Sequence, residues 1–495
     1  MHSSRRFFTP QRLVLLLCCA LVIFVAIVPF YRATLRMEIK YNEGWNAYNA
    51  VALSHHAELY PVRYGWTMVN YPVLSFVTLA QLGQFTHDYL FTGRMLSLLS
   101  LLLCCLFAGI IVARLTSSAR NGVLAGAFCL GVFCAGADTY VGMNDPQMFA
   151  QTFFMAALLV YVIGRDRPLA LSLAALLIVA GGNIKHNLID FPLAIAIDLW
   201  LTSRRRMSFF LGMLLLFEIP AFYLNVHVGG PYFLDHLLIP RRYSLERAMA
   251  GGFDYYMPLL IPMAAAVAAA MSAYRNSQRR ILAIFLPCSF AVGMFFSGGH
   301  GVSINSYFSC TLAMAMLIGL FLHESGAPRW QWLSARWSVV APLALFFWLL
   351  IPMQVNDLFP PWEQVKDLRA SEHRFDQQVD FMRSHPGPAL CESILRCYYA
   401  EKPYIVDPFN AVSLIESGKL DEIVLVRAIR SRQFSTIQFD RPPRPDGLPN
   451  AAAERFTPAV LEAVRDSYVP ALRDSDATIY VPAPATELAH KMPLR

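Results

Sequence analysis

The chain has 495 residues, 56% of them hydrophobic and 15% charged, with a formal charge of +7. Soluble domains carry about 25% charged residues, so the composition excludes an ordinary soluble enzyme and implies a chain that crosses a membrane many times. The basic residues sit in short loops between apolar runs without interleaved aromatics, which argues against nucleic acid as a partner.

Apolar runs of bilayer-crossing length lie near 13–30, 91–113, 121–140, 147–163, 168–184, 188–201, 208–226, 256–274, 281–297, 306–323 and 338–354. They predict about eleven spans. The first run resembles a signal peptide, but no A-x-A-like site follows it and Leu17 precedes Cys18, so it reads as a retained span. Arginines cluster in alternate loops. Arg5, Arg6 and Arg12 precede the first span; Arg114 and Arg120 follow the second, Arg165 and Arg167 the fourth, and Arg204, Arg205 and Arg206 the sixth. Arg275, Arg279 and Arg280 follow the eighth, and Arg329 and Arg336 the tenth. Eleven spans put every cluster on one side, which the positive-inside rule makes cytoplasmic. The run Tyr71–Gln84 would invert this order if it crossed, so it reads as an interfacial or half-inserted helix.

The first external loop, 31–90, contains KYNEGWNAYNAVALSHHAELYP from Lys40 to Pro61. Glu43 opens a short helix that Asn42 can cap. Trp45, Tyr48 and Ala52 share a face suited to a membrane interface. Beyond residue 355 charges of both signs return, and the pattern predicts strands at Ala389–Cys391, Tyr404–Val406, 435–439 and 477–482. Helices are expected up to Tyr399, at 410–418 and at 421–432, and 441–449 (RPPRPDGLP) reads as a solvated loop. This is a small α/β domain without a G-x-G-x-x-G or a P-loop, so nucleotide binding has no motif behind it. Eight of the ten cysteines lie in apolar runs. The others, Cys391 and Cys397, could pair in an oxidising compartment if the chain turns at Glu392 or Ser393. The expected fold is mainly α: a polytopic helical bundle over 1–355 with interfacial helices in its first loop, and an external α/β domain over 356–495.

The same topology puts the unusual polar groups outside. They are Glu43, Asp145 in GMNDPQ, Lys185 and His186 in GGNIKHN, Arg241 and Arg242 in HVGGPYFLDHLLIPRRYSLER, and His300 in SGGHGVSINSYF. Five outer loops contribute, whereas the inner loops offer little beyond arginines, so a site would face outward. Sugar transfer from a polyprenyl phosphate suits this set. A base takes the acceptor's proton, a second carboxylate steadies an oxocarbenium-like transition state, and fixed cations hold the departing phosphate. Glu43 and Asp145 are the candidate acids; Lys185, Arg241 and Arg242 are the candidate cations. Tyr41, Asn42, Trp45, Tyr71 and His300 are candidates for the substrate pocket. Each has a plainer reading. Glu43 can favour a helix dipole, Asp145 can cap a span, Lys185 can snorkel, the arginines can meet headgroups, and the aromatics can form an interfacial belt. His55, His56 and His300 lack a companion cluster of ligand spacing, so no metal and no cofactor are expected.

The order of these residues resembles the GT-C superfamily of integral-membrane glycosyltransferases, which includes protein O-mannosyltransferases and the bacterial aminoarabinose transferases of lipid A. Members carry an acid early in a large first external loop, matched by Glu43 in YNEGWNAY, and often a second external acid before a span, matched by NDP at 144–146. The stretch GPALCESILRCYYAEKPYIVDPFN from Gly387 resembles the outer domain of uncharacterised bacterial members. The resemblance implies an enzyme of the bacterial inner membrane with its site and C-terminal domain facing the periplasm. Its partners would be a polyprenyl-phosphate-linked sugar donor, a lipid, glycan or protein acceptor, and membrane lipids. A lone Glu where the family usually has Asp or an acid pair favours a metal-independent enzyme. The rival from another class is a transporter or flippase, which would place charges at mid-membrane and show inverted repeats; Glu218 and Asp198 are the residues that suit it.

Overall fold

The computed structural model describes residues 9–239, 241–325, 331–351, 360–452 and 454–484. In chain order the helices are α1 (Pro10–Arg32), α2 (Asn42–Ser54), α3 (Val73–Thr86), α4 (Tyr89–Thr116), α5 (Ala119–Gly136), α6 (Pro146–Gly164) and α7 (Pro168–Gly182). There follow α8 (Asp190–Thr202), α9 (Arg204–Gly229), α10 (Phe233–Leu237), α11 (Leu245–Tyr256), α12 (Leu260–Tyr274), α13 (Arg280–Ser297), α14 (Phe308–Ser325) and α15 (Gln331–Phe347). The remainder is α16 (Pro361–Ser384), β1 (Ala389–Cys391), α17 (Ile394–Tyr399), α18 (Pro408–Glu416), α19 (Glu422–Arg430), β2 (Thr436–Phe439), α20 (Pro458–Ser467), β3 (Tyr468–Arg473) and β4 (Thr478–Pro482).

Every apolar run read as a span carries a helix among its described residues, 352–354 of the last run lying outside them, and the chain is a polytopic helical membrane protein. Among the described residues eight segments are long and apolar enough to cross: α1, α4, α5, α6, α9, Leu245–Tyr274, α13 and Ile304–Ser325. The other three expected spans fall on shorter helices, α7, α8 and α15. The 13 residues of α8 rise only about 20 Å against a hydrocarbon core of about 30 Å. The ambiguous run after Tyr71 forms α3, whose 14 residues are also too few to cross upright.

Two compact units divide the chain. One takes in Met1–Ala33, Arg94–Leu224 and Arg241–Gln364; the other takes in Thr34–Gly93, Asn225–Pro240 and Val365–Arg495. Packing therefore gathers residues 34–93 with the C-terminal residues.

In the first unit α14 is the central helix, with every residue from Phe308 to Leu320 buried against α5, α12, α13 and α15. Glycines bring α4 and α5 together. A Cβ on Gly122 would sit 2.6 Å from the Gly109 carbonyl oxygen, and one on Gly126 would sit 2.8 Å from that of Cys105. Small residues at such crossings let backbones touch where lipid offers no hydrophobic drive. Prolines at the first helical positions of α6 and α7 start those spans abruptly, because their missing N–H would be unpaired there anyway.

In the second unit a four-stranded sheet has the order β1-β2-β4-β3. β1 and β2 are parallel, and the other two pairings are antiparallel. Leu390, Ile437, Phe439 and Tyr480 meet Ile429, Val460 and Val464 in its core. The expected strand at Tyr404–Val406 is absent. Prolines at 403 and 408 bracket it, and its successor Asp407 bonds instead to the Trp66 carbonyl (2.7 Å). Sequence reading missed α16, α20 and β3. Pro470 hides β3, which tolerates it by lying at the sheet edge with a bulge between Pro470 and Leu472. Cys391 and Cys397 are bonded, with Cα atoms 6.0 Å apart. The required turn falls at Glu392 and Ser393, between β1 and α17.

The face of α2 expected to meet the membrane meets protein instead. Trp45 is buried, edge-on to Tyr71 (5.0 Å) and Phe76 (5.8 Å), and its Nε1 donates to the Met68 carbonyl at 2.9 Å. Tyr48 stacks on Tyr404 at 4.8 Å and donates to the Lys402 carbonyl at 2.6 Å. Met68, Tyr71 and Phe76 come from farther along the same loop and Lys402 and Tyr404 from the C-terminal segment, partners that the periodicity of α2 alone could not reveal. The expected Asn42 cap is also absent: α2 begins at Asn42 without a side-chain cap at the preceding position.

Candidate functional site

The first unit joins two of the expected residues directly. Asp145 caps α6, its Oδ1 accepting from the Gln147 backbone N–H at 2.8 Å. Lys185, in the turn between α7 and α8, donates to the same Oδ1 at 3.0 Å. Both side chains are almost sealed from solvent, at 4% and 2% exposure. Asn305 completes the group. With its amide oriented to satisfy both ends, its oxygen accepts from Lys185 Nζ at 3.1 Å and its nitrogen donates to the Ser303 carbonyl at 3.0 Å. A buried ammonium held by a carboxylate and an amide oxygen is fixed in position. Asp145 is thus both a cap and an ion-pair partner, so the plainer reading of it as a cap holds alongside any chemical role.

Arg241, Arg242 and His300 also come together. The His300 N–H donates to the Arg242 carbonyl (2.8 Å), and Arg241 Nη1 reaches the His300 carbonyl at 3.4 Å. A short antiparallel bridge between Tyr243 and Gly299 ties the two loops. His186 links this pair to Lys185. Its ring has a solvent-facing edge yet is crowded by protein. Desolvation first, and then the charges of Lys185 and Arg241, push its pKa down to about 4. A histidine so placed is neutral at pH 7 and surrounded by positive potential. Sequence reading missed Asn305 and Gln147, although both stand in the quoted motifs SINSYF and NDPQ; uncharged amides carry no signal until a partner is visible. Gln147 is fully buried, and its Nε2 has no hydrogen-bond partner among the described residues.

In the second unit Glu43 is wholly buried, and its Oε2 accepts from the Ile39 N–H at 2.7 Å. That bond closes the turn leading into α2. Beside it, Gly44 makes room for another backbone: a Cβ there would lie 2.3 Å from the Leu395 nitrogen. Tyr41 donates to Asp407 Oδ1, and the Arg455 guanidinium lies 3.4 Å from the centre of its ring. Burial above all holds the Asp407 carboxyl higher than usual. The Tyr71 carbonyl accepts from Tyr60 at 2.6 Å. Tyr41, Trp45 and Tyr71 therefore have packing duties within this unit. Among the described residues no group of three or more His, Cys, Asp or Glu side chains is placed to hold a metal ion.

The fold is similar to those of two other proteins of solved structure. The structure of ArnT from Cupriavidus metallidurans in the apo state superposes with a TM-score of 0.62 at 14% identity, covering 93% of this chain and 97% of that one. The same enzyme bound to undecaprenyl phosphate gives 0.58 at 13% identity, with 96% and 98% covered. The archaeal oligosaccharyltransferase AglB from Archaeoglobus fulgidus, in complex with an inhibitory peptide and a dolichol-phosphate, gives 0.52 at 11% identity, with 87% and 69% covered. No protein-family model matches the chain, and no curated protein matches it by sequence. At these identities the likeness is one of fold.

Proposed function

We propose that the chain is a membrane glycosyltransferase. It moves a sugar from a polyprenyl-phosphate donor to an acceptor hydroxyl, with inversion, at the outer face of the bacterial cytoplasmic membrane. The observation that carries this reading is the full-length fold likeness to ArnT, which has been solved bound to undecaprenyl phosphate. The buried Lys185 ammonium supports it, as do Arg241 and Arg242 in the same unit. In the proposed reaction the acceptor oxygen attacks the anomeric carbon as a carboxylate takes its proton. The bond from that carbon to the phosphate oxygen breaks, and the polyprenyl phosphate leaves against fixed cations. Lys185, Arg241 and Arg242 are assigned to the phosphate, Glu43 to the base and Asp145 to holding Lys185. Tyr41, Asn42, Trp45, Tyr71 and His300 are assigned to shaping the pocket, and no metal is invoked. Residues 1–355 are the proposed catalytic part and 356–495 the proposed periplasmic part. Since Glu43 is buried, the acceptor must displace the protein covering it.

The test is product formation by purified protein supplied with a polyprenyl-phosphate sugar and cell-envelope lipids. Glu43→Gln keeps size and helix but removes the proton acceptor, and losing a general base costs roughly 10²–10⁴-fold in rate. Donor affinity should stay near wild type. Turnover of Glu43→Gln within a few-fold of wild type would reduce Glu43 to the turn-closing role already visible at Ile39. Donor binding alone does not separate this reading from a flippase or transporter; product formation by the purified protein does.

A further inference from the structure

The other end of the first unit holds a cavity that the transferase reading does not use. It measures about 370 Å³, within the usual range for a ligand pocket. Its walls include Arg114 at the end of α4, Tyr161 and Ile163 near the end of α6, and the α6–α7 turn residues Arg165, Asp166 and Arg167. By the positive-inside rule this arginine-rich end is cytoplasmic, opposite the proposed catalytic face.

The charges in the wall do not cancel. Asp166 is already paired with Arg206, from the first turn of α9. Arg165 donates to the Ser277 carbonyl and lies 3.6 Å from Asp198. That buried carboxylate is closely held by others, accepting from Arg280 Nε at 2.8 Å and from Tyr161 at 2.6 Å. Arg114 and Arg167 are exposed and make no ion pair among the described residues. Arg167 also stands immediately before the first turn of α7, whose unpaired N–H groups add positive potential. Ile163 is 53% exposed, and Leu169, Leu173 and Leu176 form an exposed stripe at i, i+4 and i+7 along α7. A pocket with guanidinium walls and a hydrocarbon stripe leading from it matches one kind of ligand, an anionic headgroup joined to acyl chains.

We propose that this cavity binds the phosphate group of an acidic glycerophospholipid. Arg114 and Arg167 would contact the phosphate, Arg165 would stand behind it, and the acyl chains would lie along the leucine stripe. The site is independent of the transferase reading and stands or falls by lipid binding alone.

The experiment is native mass spectrometry of the delipidated full-length protein titrated with dioleoyl phosphatidylglycerol. Zwitterionic dioleoyl phosphatidylethanolamine and inorganic pyrophosphate are titrated in parallel. Wild type should retain one tightly held phosphatidylglycerol and bind phosphatidylethanolamine about tenfold less well. The double variant Arg114→Gln/Arg167→Gln should weaken phosphatidylglycerol by about tenfold or more, the scale of one lost charge-assisted contact. Both side chains are exposed, so the fold should survive, which an unchanged melting temperature in detergent checks. Arg204→Gln/Arg205→Gln removes two exposed arginines of the same end that do not line the cavity, and should change binding less than twofold. Equal binding by the first variant, or an equal loss in the second, would overturn the proposal. Pyrophosphate displacing the lipid with the same sensitivity to Arg114 and Arg167 would assign the cavity to a soluble phosphate and overturn the lipid assignment.

Discussion

Breaking the Asp145–Lys185 pair from one side should be far more damaging than removing both partners. The two charges are 3.0 Å apart and nearly inaccessible. At an effective dielectric of about 20 their gross attraction is about 5 kcal/mol, most of it offsetting desolvation. Asp145→Asn leaves the α6 cap intact, because Asn caps as well as Asp, so the variant isolates the lost charge. Lys185 would then be a buried ammonium that has lost its carboxylate, and such one-sided losses cost about 3–5 kcal/mol. Lys185→Met should cost a similar amount by stranding the carboxylate, whereas the double variant should lie within about 2 kcal/mol of wild type. Reversible denaturant titration in mixed micelles measures all four corners of the cycle. Additive losses, or a single-variant loss under about 1 kcal/mol, would refute the buried pair. The same variants bear on function. Asp145→Asn frees Lys185 from its internal counter-ion, so undecaprenyl phosphate should bind more tightly and restore part of the lost stability. Unchanged affinity in both Asp145→Asn and Lys185→Met would remove Lys185 from the phosphate site.

Gly44→Ala puts a Cβ 2.3 Å from the Leu395 backbone nitrogen. The α2–α17 contact must part, and a loss of about 1–3 kcal/mol is expected in thermal unfolding despite alanine's better helix propensity. Neutral behaviour would show that the two helices do not touch there. The Cys391–Cys397 bond closes a short loop, so replacing both by Ser should cost about 2 kcal/mol, and neither thiol should alkylate before reduction. Glu38 has a pKa raised to about 7 by burial first and by Asp440 next. An acid raised in the folded state binds its proton longer there than in the unfolded chain, so wild-type stability should fall as pH rises from about 4.5 to 7. Glu38→Gln should match wild type near pH 4.5 and exceed it by a growing margin up to pH 7, read from melting temperatures. A margin independent of pH would refute this.

The spans were legible because hydrocarbon tolerates few backbone solutions: an apolar run of sufficient length becomes a helix almost regardless of its neighbours. All eleven runs did so, and Asp145, with Pro146 behind it, announced the start of α6 by local capping chemistry alone. β1 was legible for similarly local reasons, whereas the turn at Glu392 and Ser393 entered only as the condition for the Cys391–Cys397 bond. Long-range partners decided the rest. Trp45 and Tyr48 carry the periodicity of a membrane-surface helix, but Tyr71, Phe76 and Tyr404 take that face, because burying aromatic area against protein is as favourable as burying it in lipid. Pro470 lies in a strand that the edge of a sheet accommodates. Lys185 and Asp145 are forty residues apart in sequence, and nothing in either motif marks them as each other's counter-ion. Asn305 has no charge to attract notice until a lysine faces it. Composition and periodicity fix what a segment does with its own backbone, whereas the pairing of buried charges depends on which segments meet, and only the tertiary structure settles that.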